Sequence, residues 1–290
     1  MRIGLFGNVY QAQKNIYVST VLQKLKSLKA EVLIERQFAS FIKEKMGIDI
    51  SEYEQFSPEG IKAEVAISMG GDGTFLNTAA QVGNKQIPIL GINTGRLGFL
   101  ADVSPESIYE ALEDIAKCNY IVEDRRVISL EKNGKQLKGY PFALNEVAVL
   151  KHDNSSLIEI RTMVNGAALT NYMADGLIVC TPTGSTGYSL SVGGPIIVPN
   201  SGTFCISPVA SHSLSTRPVI ICDDVEITLE IHSRSHNFLI SVDGRSESFE
   251  DNTIITLRRA PYVVKVIKIE HKNFFDTLRE KMMWGADQRV

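Results

Sequence analysis

Little in this sequence could tie a chain together by disulfides or metal. Four cysteines, Cys118, Cys180, Cys205 and Cys222, stand far apart with no Cys-x-x-Cys pair. That argues against a disulfide framework and fits a reducing cytoplasm. The five histidines, His152, His212, His232, His236 and His271, form no His-Glu-x-x-His or His-x-His pattern, so no tightly bound, protein-ligated metal is expected. No apolar run approaches the roughly 18 residues a membrane helix needs, which excludes a helical membrane protein. Met1 to Asn8 breaks too early for a secretory leader and reads as a buried strand. Basic excess is also missing. Thirty Lys and Arg face 33 Asp and Glu, a net charge of −3, so no global field drives nucleic-acid binding. Repeats and low-complexity linkers are absent.

What is present is an ordinary globular composition, 44% hydrophobic and 22% charged over 290 residues, enough for one large domain or two ordinary ones. The chain changes grammar partway. Up to about residue 124, short apolar runs alternate with helical patterns. Ile3 to Phe6, Glu31 to Ile34, Val65 to Met69 and Ile87 to Ile92 suit strands buried on both faces of a parallel sheet. Tyr17 to Leu28, Thr74 to Val82 and Pro105 to Ile115 suit the helices between them. This predicts an open, Rossmann-like α/β domain. Phe38 to Gly60 is expected to be loop with a short helix. From Arg125 the period becomes two. Leu157 to Val164 and Val225 to His232 alternate, and Asn133-Gly134, Asn165-Gly166 and Asp243-Gly244 separate strand-like runs as hairpin turns do. A C-terminal antiparallel, β-sandwich-like domain over 125–270 follows, with Val263 to Glu270 as its last strand. The tail, 271–290, has helical spacing and is expected to pack back on the domain of residues 1–124, Trp284 included.

Three motifs carry chemistry. Gly70-Gly71-Asp72-Gly73-Thr74 follows a strand and precedes a helix, where glycines let the backbone approach a phosphate and a helix N-terminus offers free N–H groups. A carboxylate beside phosphates is repulsive unless it takes a proton from an attacking hydroxyl or holds the metal that travels with the phosphates. The motif is neither a Walker loop nor Gly-x-Gly-x-x-Gly. Asp175 to Ser191, closing in Gly193-Gly194-Pro195, runs from an apolar strand into a loop dense in hydroxyls and glycines, suited to sugars, amides and phosphates. It has no lysine or arginine, which favours a nucleoside over a triphosphate. Asn145-Glu146, inside the apolar Phe142 to Leu150, puts one polar side chain on each face of a strand, which suits ligand binding or an edge position. Arg125-Arg126 is expected to be solvated or capping, with phosphate binding as the alternative, and His212 to be a satisfied core histidine rather than a ligand contact.

Together these pieces resemble the NAD kinase family, from about Val65 to about Arg245. The resemblance runs through Gly70-Gly71-Asp72-Gly73, Asn93-Thr94-Gly95-Arg96-Leu97-Gly98-Phe99-Leu100, Asn145-Glu146, Thr181 to Gly194, and His212-Ser213-Leu214-Ser215-Thr216-Arg217-Pro218. Each is moderately specific; their order and spacing are highly so. The resemblance implies transfer of the γ-phosphoryl of ATP, with Mg²⁺ or another divalent metal, to the 2′-hydroxyl of the adenosine ribose of NAD. It implies Asp72 as the base, with Gly71 and Gly73 as backbone contacts. Asn145 and Glu146 would meet ribose hydroxyls and adenine, and Asp175 the nicotinamide amide, often from a neighbouring subunit. Thr183, Thr186, Gly187, Tyr188, Ser189, Leu190 and Ser191 would line the nucleoside pocket. Phe99 would wall the adenine site or serve as ordinary core. Met173, Gly187 and Arg245 are pocket positions where the family often carries a basic residue or histidine, alanine and glutamine respectively, which bears on NAD against NADH. A homodimer or homotetramer with the site at a subunit contact is implied, with neither nucleic acid nor membrane as partner. The rival readings are a lipid or sphingoid-base kinase with the same Gly-Gly-Asp-Gly loop, and a non-catalytic dinucleotide sensor that would not need Asp72.

Overall fold

A computed structural model describes residues 1–10, 14–95, 98–137, 139–152, 156–269 and 273–285. The chain divides into two compact units, residues 1–124 with 264–290, and residues 125–263.

The first unit starts with β1 (Arg2–Gly7), α1 (Asn15–Ser27), β2 (Glu31–Glu35), α2 (Arg36–Phe41) and β3 (Glu54–Phe56). It continues with β4 (Val65–Met69), α3 (Asp72–Val82), β5 (Ile89–Ile92), α4 (Ile108–Ala116) and β6 (Ile121–Arg125). Strands β4 and β5 are buried at every position, as strands covered on both faces must be. Val18, Val21, Leu22 and Leu25 of α1 and Ile108, Ala111, Leu112 and Ile115 of α4 share one core with β1, β2 and β4. The segment 38–60 is more ordered than its polarity suggests. Glu35 caps α2 by accepting the Gln37 and Phe38 N–H groups at 3.0 and 2.9 Å, Phe38 is fully buried, and β3 pairs parallel with β2. Its exposed residues are polar and conceal a few deeply buried ones.

The second unit holds β7 (Ile128–Lys132), β8 (Lys135–Gln136), β9 (Phe142–Ala143), β10 (Glu146–Lys151), β11 (Ile158–Val164), β12 (Ala167–Ala174), β13 (Gly176–Cys180), α5 (Tyr188–Ser191) and β14 (Thr203–Val209). It closes with β15 (Val219–Cys222), β16 (Ile227–His232), β17 (Asn237–Val242), β18 (Arg245–Glu250) and β19 (Ile254–Arg259). Among the described residues one sheet runs β15-β14-β13-β10-β17-β18 and a second β12-β11-β16-β19-β7-β8, with β9 on β7. Their inward side chains, among them Val147, Leu177, Phe204, Ile231, Phe238 and Leu257, form one core, as in a sandwich. The three Asn-Gly and Asp-Gly pairs close β7–β8, β11–β12 and β17–β18 with φ between 48° and 80°, values that asparagine, aspartate and glycine tolerate.

The chain then returns to the first unit as β20 (Val264–Lys268) and α6 (Phe274–Met282). Here the sequence expectation is corrected. Val263 to Glu270 is expected to be the last strand of the β domain, but β20 lies parallel beside β5, in a sheet ordered β3-β2-β1-β4-β5-β20-β6. Trp284 is 58% exposed, so it is not the packed anchor expected of it. No helix among the described residues is long and apolar enough to cross a membrane.

Candidate active site

In the first unit the strand order reverses between β1 and β4, and open α/β sheets bind ligands outside the carboxyl ends of the strands at such a point. Gly70 and Gly71 leave β4 there, and Asp72 opens α3. Positions 71 and 73 have open space where a side chain would stand, so the backbone is accessible to a ligand. The Asp72 carboxylate turns inward. It accepts the N–H groups of Phe99, Leu100 and Ala101 at 2.9, 3.0 and 3.1 Å. Three consecutive amides thus fix its orientation, and Gly98 is needed for the approach, since a Cβ there would fall 2.0 Å from Asp72 Oδ1. Asn93 ties the same turn, accepting from Gly95 N–H at 2.5 Å and donating to the Ala101 carbonyl at 3.3 Å. Arg96 and Leu97 of this motif lie outside the described residues. Phe99 is half-buried, its ring 6.0 Å from Phe274 of α6. Lys281, on the same helix, comes 3.4 Å from Asp72 Oδ2 and 4.6 Å from the Phe99 ring centre. No local signal in the sequence marked Lys281.

In the second unit Asn145 and Glu146 stand where β9 gives way to β10. A second carboxylate, Asp243 of the β17–β18 turn, braces them by accepting the N–H groups of Leu144, Asn145 and Glu146 at 2.8, 2.8 and 3.1 Å. Thr181 Oγ1 donates to the Leu144 carbonyl at 2.6 Å and accepts from Gly184 N–H at 3.2 Å. Gly184 lies so close that a Cβ would meet the Asn145 carbonyl oxygen at 2.2 Å. Gly187 approaches next, its missing Cβ 3.2 Å from Glu146 Oε2. Within this frame Asn145 Oδ1 and Glu146 Oε2 are buried without a hydrogen-bond partner. Buried acceptors are normally paired, so these two suit a ligand that brings O–H or N–H groups. Burial first, and the charge of Asp243 second, push the Glu146 carboxyl up to about 7. Burial also raises Asp243, against its three amide donors.

The other sequence candidates divide. Thr183 is buried, Thr186 and Leu190 are half-buried, and Tyr188 and Ser191 are exposed along the same loop. Ser189 instead turns inward to Ser207 at 3.1 Å, a structural bond. Asp175 pairs with Lys151 at 2.7 Å. Met173, 41% exposed, lies on the edge strand β12. Arg245 is 4.7 Å from the Tyr140 ring and 4.0 Å from Asp243, so it touches the brace rather than Asn145 or Glu146. His212 is exposed rather than a core residue. Arg125 is buried rather than solvated, and Arg126 pairs with Asp223 at 3.1 Å. Asp243 was legible only as a turn residue.

A parallel sheet with Gly-Gly-Asp-Gly at its switch point, joined to a β-sandwich with a hydroxyl-rich loop, defines a phosphotransferase acting on a hydroxyl acceptor. Residues 3–120 match the ATP-NAD kinase N-terminal domain and residues 144–269 the ATP-NAD kinase C-terminal domain. The chain belongs to the ATP-NAD kinase family. An NAD kinase of Bacteroides fragilis is 55% identical over 100% of both chains, and one of Flavobacterium psychrophilum is 41% identical over 100% of both. Among solved structures, an NAD kinase from Archaeoglobus fulgidus in complex with ATP is 27% identical, with a TM-score of 0.77 over 98% of this chain and 99% of its own. The yeast NADH kinase complexed with NADH has a TM-score of 0.90 over 100% of this chain and 89% of its own, at 18% identity, a likeness of fold.

Proposed function

We infer that this chain is an NAD kinase, transferring the γ-phosphoryl of ATP to the 2′-hydroxyl of the adenosine ribose of NAD to give NADP and ADP. Full-length identity of 55% to a curated NAD kinase carries this reading. The 2′-oxygen forms a bond to the γ-phosphorus, the bond from that phosphorus to the bridging oxygen of ADP breaks, and the hydroxyl proton passes to Asp72. A fixed carboxylate suits a base, because positioning supplies much of its effect. Gly71 and Gly73 offer backbone to phosphates. Asn145 and Glu146 hold the nucleoside, their unpartnered acceptors taking ribose hydroxyls and the adenine amino group. Gly187, Tyr188 and their neighbours in 183–191, Ser189 apart, line that pocket, and Asp175 takes the nicotinamide amide in place of its Lys151 contact.

Three amides already occupy the Asp72 oxygens, which fits a metal brought in on the ATP phosphates better than one held in a protein cage. Bound there, Mg²⁺ would offset the phosphate charge. The protein is further proposed to be cytoplasmic and to assemble as a homodimer or homotetramer with the site completed at a subunit contact. Family membership over both domains favours this reading over a lipid kinase or a sensor. The test is an assay with ATP–Mg²⁺ and, separately, NAD, NADH and a long-chain diol. NADP from NAD supports it, and phosphorylation of the diol alone contradicts it.

A further inference from the structure

An ionised carboxylate offers about four lone-pair sites for hydrogen bonds. At Asp72 three are filled by the amides of Phe99, Leu100 and Ala101, and the fourth is met by Lys281 at 3.4 Å. The amides belong to a turn that Asn93 and the close approach of Gly98 hold in place, so they stay. An incoming hydroxyl can give its proton to Asp72 only if the ammonium withdraws. Lys281 is free enough to do so, since its side chain is 34% exposed and its contact with the carboxylate is long.

The helix that delivers it is nonetheless a built element. Asn273 and Asp276 close a reciprocal cap at its start, Thr277 and Leu278 are buried, and Phe274 packs on Phe99. The nearby cations are differently engaged. Lys268 is held in a buried pair with Asp102 at 2.5 Å, and Lys14 donates to the Thr94 carbonyl. A phosphoryl group arriving beside Asp72 would face a carboxylate of like charge, and an ammonium released from that carboxylate is placed to relieve the repulsion.

We propose that Lys281 is a catalytic residue that leaves Asp72 for the γ-phosphoryl of the donor as the substrates bind, which frees Asp72 to accept the 2′-hydroxyl proton. The lysine keeps its own protons throughout and supplies charge alone. This rests on the reading of Asp72 as the base.

The test compares wild type with Lys281→Met, Lys281→Gln and Lys281→Arg in the full-length protein. Both neutral variants should keep the wild-type melting temperature and KM for NAD while kcat falls about 10²-fold, the loss typical of removing one charge-stabilising donor. Calorimetry with Mg²⁺ should show the non-hydrolysable ATP analogue AMP-PNP bound at least about tenfold more weakly and ADP bound as in wild type, because only the former carries a γ-phosphoryl. A merely structural lysine would weaken both alike. Lys281→Arg should recover most of kcat. Near-normal turnover in a folded neutral variant, or equal weakening of ADP and AMP-PNP, overturns the proposal while leaving the kinase reading intact, and so does failure of both neutral variants to fold. A wild-type protein that makes no NADP would instead refute the reading on which it rests.

Discussion

In the folded chain the Glu146 carboxyl sits beside Gly187 and within the field of Asp243, and burial moves it from an ordinary 4.5 to about 7. The folded state therefore holds a proton that the unfolded chain gives up. The stability tied to that proton is whole below about pH 4.5 and is lost as the pH rises through about 7. Urea midpoints measured across that interval should fall for the wild type, and Glu146→Gln should flatten the decline; an unchanged slope in the variant would remove Glu146 as its source. Glu146 and Asn145 were visible in the sequence because two polar residues interrupt an apolar strand, and Asp72 because a carboxylate stands among glycines. Their partners were not visible. The amides on Asp72 come from 27 to 29 residues away and Lys281 from 209. Asp243 lies 97 to 99 residues from the amides it braces, and the Asp-Gly pair was already accounted for as a turn.

At the scale of elements, the β17–β18 hairpin has two roles. Its positive φ values reverse the chain, and its aspartate closes the start of β10. Asp243→Ala would leave three amides without their acceptor and would also set alanine at φ 48°, which it tolerates less well than aspartate. Hydrogen bonds to a charged group contribute about 1.5–3 kcal/mol each net of solvation, and water reaching the vacated site should reduce the total to about 3 kcal/mol. Urea unfolding should show that loss together with a raised KM for NAD, since Asn145 and Glu146 lose their brace; a loss below about 1 kcal/mol would show the amides finding other partners. Element types were largely readable from apolar period, as the helices α1, α3 and α4 and the alternating β11 and β16 attest. Membership of a sheet was not. The β-branched run Val263 to Glu270 predicts a strand, yet nothing local tells β20 to cross back and lie parallel beside β5. The run 38–60 is expected to hold a short helix, which α2 supplies, but it hides β3, its few buried side chains being scattered among charged ones.

For the whole molecule, the change of period near Arg125 separates the two units, and the fold class follows from it. Assembly leaves no such mark. If Asp175 serves a neighbouring subunit's site, mixing Asp72→Asn chains with Asp175→Ala chains should restore part of the activity that each lacks alone, and full activity from a proven monomer would refute the sharing. The reaction itself turns on one oxygen pair. Asp72→Asn keeps the shape of the side chain and removes the proton acceptor, and a positioned base contributes about 10²- to 10⁴-fold. The most direct measurement is kcat for NADP formation in Asp72→Asn beside its equilibrium affinity for NAD. A loss of at least about 100-fold in kcat with NAD affinity largely kept is the expected result, and turnover near that of the wild type would contradict Asp72 as the base.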